Sequence, residues 1–503
     1  MQLFATVVCD EGQPGEAGLG QEVEAVRETD VPGWNDSVDV LVVGYGVAGA
    51  CAALEAHRAG ARVLVVERAS GGGGASAMSS GIFYLGGGTA VQKACGYDDD
   101  PEEMYKFLMA SSGAPDASIV RSFCENSVAH FDWLEAQGVP FERTSFKGKA
   151  VFLNTTECLF STGNEKLWPY KQIARPAPRG HKVAGVGENA GAKAMEALLR
   201  TCNAEGVPAI YDSGVTALIR NDEGRVVGAR IRQPGRELFV RAARGVILTT
   251  GSFNLNKEMT SKYLPLLSET SEPLGIPSND GSGIKLGLSV GAATQAMDGV
   301  IATASIYPPA QLIKGILVNK RGERFVAEDS YHGRTAAFIM EQPDQTAYLI
   351  VDSEIFAYPE IETHQHRLID GWETVEEMEA GLELPEGSLQ KTLADYNHYA
   401  AEGRDPFLFK DPEWLKPLDK GPYAAFDVSF NKSIYLFIAL GGLKTNAQAQ
   451  VLDPRGNPVP GLYAAGACAA HIPQTGKGYA SGLSLGPGSW FGRVAGRHAA
   501  GCR

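Results

Sequence analysis

No cysteine in this chain stands in a metal- or haem-binding pattern: the eight, at positions 9, 51, 95, 124, 158, 202, 468 and 502, form neither a Cys-x-x-Cys pair nor a Cys-x-x-Cys-His site. Structural zinc and covalent haem are excluded on that ground, no metal site is expected, and a reducing cytoplasm is the predicted setting. Runs of lysine and arginine are also missing, and 45 basic against 59 acidic residues leave a net charge of −14. Such a balance is unsuited to tracking a phosphate backbone, which argues against nucleic acid as a partner. No stretch reaches the ~18 consecutive apolar residues of a membrane-spanning helix, so no transmembrane segment is expected. Met1 to Gly12 has no basic region ahead of a long apolar run, so no secretory signal is expected either. Internal repeats and low-complexity tracts are absent.

What remains is a chain of 503 residues, 44% hydrophobic and carrying 60 glycines, the composition of an α/β protein rich in tight turns. The length suggests about three domains and is enough to bury a core without disulfides or metals. Residues 1–36 are acidic and rich in Gly, Glu and Pro and are predicted to form a loose arm, with order beginning at Val38. The segment 140–187 carries Phe141, Phe146, Phe152, Trp168, Tyr170 and the cluster Arg175-Pro-Ala-Pro-Arg179. A stretch this long without clear elements is either a functional flap over a substrate or plain packing. A helix is predicted over Ala190–Arg200, then strands over Val215–Arg220, Val226–Arg232 and Glu237–Val240, with turn signals at Asn221–Gly224 and Pro234-Gly235.

The motif that carries chemistry opens at Val38-Asp-Val-Leu-Val-Val43, a short run apolar enough for a strand buried on both faces. It leads into Gly44-Tyr-Gly46-Val-Ala-Gly49 and an alanine-rich helical stretch over 47–59. Gly60 then suits a left-handed helix end, and a second strand, Arg62–Val66, ends in Glu67. Gly44 permits the tight turn, Gly46 lets the backbone approach a pyrophosphate, and Gly49 lets helix and strand pack closely. The helix amino terminus offers free N–H groups and a favourable dipole to the phosphates. Glu67, 18 residues past the last glycine, can accept hydrogen bonds from an adenosine ribose. Strand, helix, second strand and acid fall in register, the pattern of a dinucleotide-binding fold. By contrast Gly185–Gly191 has no strand before it and is predicted to be a helix-opening loop. Glycine clusters at Gly71–Gly74 and Gly86–Gly88, with strand-to-glycine turns at Arg244–Gly251 and Gly461–Gly466, point to one long ligand touched by distant segments.

On these segments the chain resembles, from about Val38 to Ala500, the flavoprotein superfamily of fumarate reductases and succinate dehydrogenases. The resemblance implies an α/β fold: a Rossmann-type FAD-binding domain, discontinuous over 38–296 and 439–503 behind an N-terminal arm at 1–37, with an inserted α+β cap or catalytic domain at 297–438. It implies FAD held non-covalently, since residues 69–95 offer no histidine for attachment. The positions implied to hold FAD are Gly44, Gly46, Val47, Ala48, Gly49, Glu67, Arg68, Ala75, Ser76, Ser80, Gly81, Val215, Thr250, Gly251, Gly466, Ser484 and Leu485. Ser484 and Leu485 are assigned to the pyrimidine side of the flavin or its ribityl chain.

The departures from that superfamily are more informative. Fumarate-reducing members carry a proton-donating arginine after a pattern like Arg-Phe-x-x-Glu, whereas here Arg324-Phe-Val-Ala-Glu328 leads into Asp-Ser-Tyr331-His332-Gly333. The carboxy-terminal loop, where a second arginine is expected, reads Gly476-Lys-Gly-Tyr479-Ala-Ser481-Gly482, and the histidine expected before Gly441-Gly442 gives way to the apolar stretch Tyr435–Leu440. A dicarboxylate needs paired cations, while an apolar pocket lined by hydroxyls suits a large uncharged carbonyl compound. In this respect the chain is similar to the 3-ketosteroid dehydrogenases. Gly478-Tyr-Ala-Ser-Gly482, Ser484-Leu485-Gly486 and Phe491-Gly492-Arg493 look most like the Δ4-(5α) branch, which also has a tyrosine where Tyr331 stands. Tyr84–Gly88, Gln92–Gly96 and Ala177–His181 strengthen the match, and the Δ1 branch spaces its tyrosine–glycine motif differently.

That resemblance implies a C4–C5 double bond introduced into 3-keto-5α-steroids, by loss of an α proton and hydride transfer to flavin N5. It assigns Tyr479 to the 3-keto oxygen, where a phenol stabilises the developing enolate. Ser481 is assigned to the C4 proton and Tyr331 to passing it on, serine being a poor base by itself. In extended backbone residues 479 and 481 point to the same side. Arg324 and Glu328 are expected to form a structural ion pair, and His332, adjacent to Tyr331, either to tune it or to be satisfied by solvent. The expected partners are a 3-keto-steroid and an external electron acceptor, a quinone being one candidate class. Three alternatives stay open: a Δ1-dehydrogenase, a fumarate-reductase-like reductase of a small unsaturated acid, and a flavoprotein without turnover that serves as redox sensor or scaffold.

Overall fold

A computed structural model describes residues 23–150, 153–187, 189–303, 309–358 and 367–502. Cys9, Phe152 and the first 22 residues of the predicted arm lie outside the described residues. The continuous apolar runs become the inner strands of a central sheet. Asp36–Val43, Val63–Val66 and Ala209–Ile210 lie parallel in that order, and Asp36–Val43 pairs on its other side with the long strand Arg236–Leu248. Val40 and Val42 face one core while Leu41 and Val43 face another, so the strand is buried on both faces over these four residues.

The helix Val47–Arg58 packs along the last helix, Leu485–Ala499. A Cβ at Gly492 would lie 2.3 Å from Ala48 O, and one at Gly496 2.2 Å from Ala52 O, so two glycines set how closely the helices approach. The predicted second helix is present as Gly191–Ala204, directly after the glycine-rich loop; Glu188 of that loop lies outside the described residues.

Two expectations are corrected. The strand predicted over Glu237–Val240 and the strand-to-turn segment Arg244–Gly251 share one strand, Arg236–Leu248, with a register shift between Ala242 and Gly245. Its first half pairs antiparallel with Val226–Gln233 and its second half lies parallel to Pro458–Ala464; the irregularity between them interrupts the alternation that would mark one element. The loose arm is also ordered over its described part. Val26–Arg27 pairs in parallel with Ile219–Arg220, and the Asn35 N–H donates to Phe239 O at 2.8 Å. Trp34 covers Gly228, where a Cβ would come within 2.9 Å of its ring. Polar composition conceals this order because backbone groups make the bonds.

A second, antiparallel sheet runs in the order Ile316–Asn319, Ala347–Asp352, Tyr423–Asp427, Arg367–Trp372. A buried ion network braces it. Arg324 donates to both Glu328 oxygens, at 3.0 and 2.7 Å, and to Asp405 at 3.0 Å, while Lys410 stands 3.2 Å from Glu328. Burial alone would raise the Glu328 carboxyl, but the charges of Arg324 and Lys410 bring it down to about 2. The Arg-Phe-x-x-Glu motif is therefore structural. The segment 140–187 contributes Leu159–Phe160 and Gly180–Lys182 to a three-stranded sheet with Ile82–Tyr84.

Candidate active site

Two strand ends meet at the first glycine turn. Gly44 has φ +99°, and a Cβ there would lie 2.6 Å from Thr249 O. Thr249 ties the ends together, its hydroxyl 2.9 Å from both Val43 O and Gly44 O. A Cβ on Gly49 would stand 2.0 Å from Gly44 O, so the helix starts this close to the strand only because residue 49 is glycine. Gly46 precedes the helix, the Val47 N–H donates to Ser76 Oγ at 3.1 Å, and Val47 and Ala48 are buried. Glu67 Oε2 accepts the Tyr45 N–H at 2.7 Å and Oε1 accepts the Ala69 N–H at 2.8 Å. Each oxygen retains a lone pair for a ribose hydroxyl.

The remaining predicted cofactor positions fall in neighbouring segments. Arg68 pairs with Asp280 at 2.7 Å, and a Cβ on Gly214, next to Val215, would lie 3.7 Å from Arg68 Cδ. Thr250 Oγ1 lies 3.5 Å from Cys468 Sγ, Gly251 has φ +84°, and a Cβ on Gly466 would reach to 3.0 Å from Ala48 Cβ. Ala75, Ser76 and Ser80 are half-buried, while Gly81 is buried against the start of the helix Gly191–Ala204. A backbone cradle that excludes side chains, a helix amino terminus and a carboxylate at the next strand end fit the dinucleotide part of FAD.

At the other end of the site three hydroxyl side chains are brought together. Tyr331, the residue before the helix His332–Met340, lies with its Oη 2.9 Å from Ser481 Oγ. The ring of Tyr479 is 6.4 Å from that of Tyr331, and its Oη is 2.8 Å from Ser484 Oγ. Both tyrosines are buried, and burial raises the Tyr479 phenol, which keeps it protonated. The loop bearing Tyr479 is hemmed in by backbone, since a Cβ on Gly478 would stand 1.9 Å from Ser111 O. The guanidinium of Arg334, close by in sequence, is turned away to the Tyr170 hydroxyl at 3.0 Å, and Lys477 is paired with Glu341 at 2.6 Å. The His332 ring is buried beside that of Tyr331, tilted 43° to it, and burial and the nearby Lys149 push its pKa down to about 3.

One expectation about this pocket is corrected. The missing histidine before Gly441-Gly442 does not leave it without imidazole, because the chain after Gly466 folds back onto Leu440. There both the backbone N–H and the Nδ1 of His471 reach Leu440 O, at 3.0 and 3.1 Å. Since a carbonyl can only accept, Nδ1 carries the proton, and burial keeps the ring neutral. Its Nε2 then accepts from Ser484 Oγ at 3.3 Å, and Ser484 in turn accepts from Tyr479. The hydroxyl of Ser484, assigned by resemblance to the flavin, thus stands in line between Tyr479 and His471.

The segment 140–187 supplies further residues that no motif singles out. Thr162 O accepts the Ser481 N–H at 2.9 Å, and Asn164 bonds to the backbone of both Tyr331 and Lys477. Glu165 accepts from the Tyr84 hydroxyl at 2.9 Å, and burial raises its carboxyl. The signal available in sequence is the polar run Thr162-Gly-Asn-Glu165 set between Leu159-Phe160 and Leu167-Trp168.

Comparison with known proteins agrees with this geometry. The model of the FAD binding domain family matches residues 39–483. The 3-oxo-5-alpha-steroid 4-dehydrogenase of Comamonas testosteroni is 30% identical over 88% of this chain and 95% of its own length. A probable fumarate reductase of Shewanella frigidimarina is 27% identical over 96% of this chain and 78% of its own. Among solved structures, the 3-ketosteroid-delta4-(5alpha)-dehydrogenase of Rhodococcus jostii RHA1, in complex with 4-androstene-3,17-dione, is 41% identical with a TM-score of 0.89, covering 95% of this chain and 100% of that one. The chain belongs to the FAD binding domain family, and within it to the group of the 3-ketosteroid Δ4-(5α)-dehydrogenases.

Proposed function

We propose that this protein is an FAD-dependent 3-ketosteroid dehydrogenase that introduces a C4–C5 double bond into 3-keto-5α-steroids. The observation that carries the reading is the bonded pair Tyr331–Ser481 beside Tyr479, hydroxyls standing where an acid-reducing relative would need guanidinium groups. The steroid bound in the Rhodococcus jostii structure, itself a 4-ene-3-ketone, supports the same substrate class.

In this reading Tyr479 turns its phenol proton from Ser484 to the 3-keto oxygen and stabilises the charge that grows there. Ser481 takes the C4 proton as the C4–H bond breaks and gives its own hydroxyl proton to Tyr331 across 2.9 Å, while Tyr331 passes its phenol proton on to solvent water. The electron pair left at C4 becomes the C4–C5 π bond as the C5–H bond breaks. When bound, FAD supplies the two-electron acceptor for the hydride leaving C5. Burial of both tyrosines keeps bulk water away from the reacting carbons.

The proposal extends to organisation. Residues 38–296 and 439–503 form the FAD-binding part and 297–438 the cap, a division supported by the four-stranded sheet lying wholly between Ile316 and Asp427. A cytoplasmic setting is supported by seven free cysteines among the described residues. Electrons leave to an external acceptor, with a quinone as the candidate class.

Anaerobic mixing of the FAD-loaded protein with a saturated 3-keto-5α-steroid tests the function. Bleaching of the flavin with appearance of the 4-ene-3-ketone is expected. A 1-ene product would make the protein a Δ1-dehydrogenase. Bleaching by a chemical reductant alone, followed by reoxidation with fumarate, would make it an acid reductase, and no response to either would leave a flavoprotein without turnover.

A further inference from the structure

Tyr331 and Ser481 come from segments 150 residues apart, and one hydroxyl–hydroxyl bond does not by itself hold two such segments in register. A third segment holds the backbone of both. The Oδ1 of Asn164 accepts the N–H of Tyr331 at 3.1 Å, and its Nδ2 donates to Lys477 O at 3.2 Å. Two residues earlier, Thr162 O accepts the N–H of Ser481 at 2.9 Å. Tyr331 precedes the helix His332–Met340, so its N–H lies outside the helical ladder and is available to a side chain.

The turn carrying Asn164 is itself fastened. Glu165 accepts the Gly163 N–H at 3.1 Å and the Tyr84 hydroxyl at 2.9 Å. Residues 478–480 are wedged between this turn and the end of the helix Pro101–Ser111: a Cβ on Gly163 would lie 2.6 Å from Ala480 Cβ, and one on Gly478 1.9 Å from Ser111 O. Asn164 is 1% exposed, and its planar amide presents one acceptor and one donor at a fixed spacing.

We infer that Asn164 is a positioning residue for the dehydrogenation, its amide setting the separation of Tyr331 Oη and Ser481 Oγ across which the proton passes. The chemistry rests on the steroid-dehydrogenase reading; the geometry does not. The Asn164 side chain bonds only backbone groups, of Tyr331 and of Lys477 in the loop that carries Ser481, so it acts through that tyrosine and that loop.

Two variants separate this from a merely structural role. Asn164→Ala deletes both bonds. In the FAD-loaded variant the rate of steroid-driven bleaching falls about 10- to 100-fold, the scale of a misplaced reacting pair, while KM for the steroid and the FAD content stay at wild-type values. Asn164→Asp keeps the acceptor for Tyr331 but sets a carboxylate oxygen against Lys477 O. Protonating that carboxyl restores a donor, so this variant regains rate relative to wild type as pH falls, which a packing defect would not do. A crystal structure of either variant gives a readout that needs no turnover. In Asn164→Ala, and in Asn164→Asp with its carboxyl ionised, Tyr331 Oη and Ser481 Oγ are expected beyond hydrogen-bond reach, about 3.5 Å or more. A wild-type rate, or a loss of FAD and a rise in KM in parallel with the fall in rate, overturns the inference. So does a Tyr331–Ser481 bond kept at its wild-type length in those structures, whether or not the wild-type protein oxidises a steroid. Failure of the wild type to bleach would sink the steroid reading and leave the crystallographic distance to decide the role of Asn164.

Discussion

Removing the hydroxyl of Ser481 or of Tyr331 breaks the same contact, the 2.9 Å bond between their oxygens. If the two form one relay, Ser481→Ala stops the proton leaving C4 and Tyr331→Phe stops it leaving Ser481. Each variant should then lose the contribution of a positioned acid–base group, about 10²–10⁴ in rate, or ~2.7–5.5 kcal/mol of barrier. Independent groups would multiply these losses to about 10⁴–10⁸ in the double variant, whereas members of one relay lose no more together than the worse one alone. The expected coupling energy is therefore ~3–5 kcal/mol. Packing does not confuse the comparison, because phenylalanine keeps the ring contacts to His332 at 4.0 Å and to Tyr479 at 6.4 Å. The Tyr331–Ser481 hydrogen bond that is lost contributes ~1 kcal/mol to stability. Anaerobic stopped-flow bleaching at saturating steroid gives the four rates, and the flavin-to-protein absorbance ratio confirms FAD content. Additive losses in the double variant, or a wild-type rate in either single one, would refute the relay.

Tyr479→Phe removes the donor proposed for the 3-keto oxygen and should lower single-turnover bleaching by about 10²–10³ while FAD stays bound; a wild-type rate would exclude the phenol from the reaction. Glu67→Ala leaves the Tyr45 and Ala69 N–H groups without their acceptor and removes the carboxylate offered to the ribose. FAD should bind ~10- to 100-fold more weakly in titrations of the apoprotein, and an unchanged Kd would remove Glu67 from the site. Glu328 has a folded pKa of about 2, below its unfolded value of ~4.3, so its contribution to stability is present above the unfolded value and lost as pH falls through the folded one. Glu328→Gln should cost ~3–5 kcal/mol near neutral pH, because it leaves Arg324 and Lys410 without their shared anion. Its thermal midpoint should also fall less steeply than that of wild type on acidification. Parallel acid limbs in calorimetry would refute the assignment.

The parts of the protein most legible in sequence are those fixed by local physics. The turn at Gly44–Gly49, the left-handed end at Gly60 and the acid at Glu67 follow from which residues tolerate positive φ, close backbone approach or a strand end, and each is found in place. Tyr331, Tyr479 and Ser481 were accessible only through family resemblance, since nothing local distinguishes a relay tyrosine from one in a core. Their convergence depends on contacts across 150 residues. His471, Asn164 and Glu165 left no sequence signal strong enough to find them, because each works through backbone carbonyls, backbone N–H groups or a single distant hydroxyl. The bend within Arg236–Leu248 and the pairing of Val26–Arg27 were hidden for the same reason: backbone register leaves little trace in side-chain pattern.

The retained motif and the replaced residue sit side by side, and this locates the change in chemistry. Arg324 and Glu328 brace the second sheet through a buried ion network, and three residues beyond Glu328 the chain presents the phenol of Tyr331. The same burial acts on everything around that phenol. It keeps Tyr479 protonated, and it holds His471 and His332 neutral. A dianionic substrate entering such a site would meet this desolvation without paired guanidinium groups to offset it. A neutral ketone meets donors already buried and oriented, and the only charge to form on the substrate is the transient one on its oxygen, which the proposed mechanism sets beside Tyr479. Selection between acid reduction and ketone dehydrogenation on this fold is thus a matter of which charge state the pocket will solvate. Restoring a guanidinium at position 331 alone should not recover acid reduction, because one cation supplies half of the clamp a dicarboxylate requires.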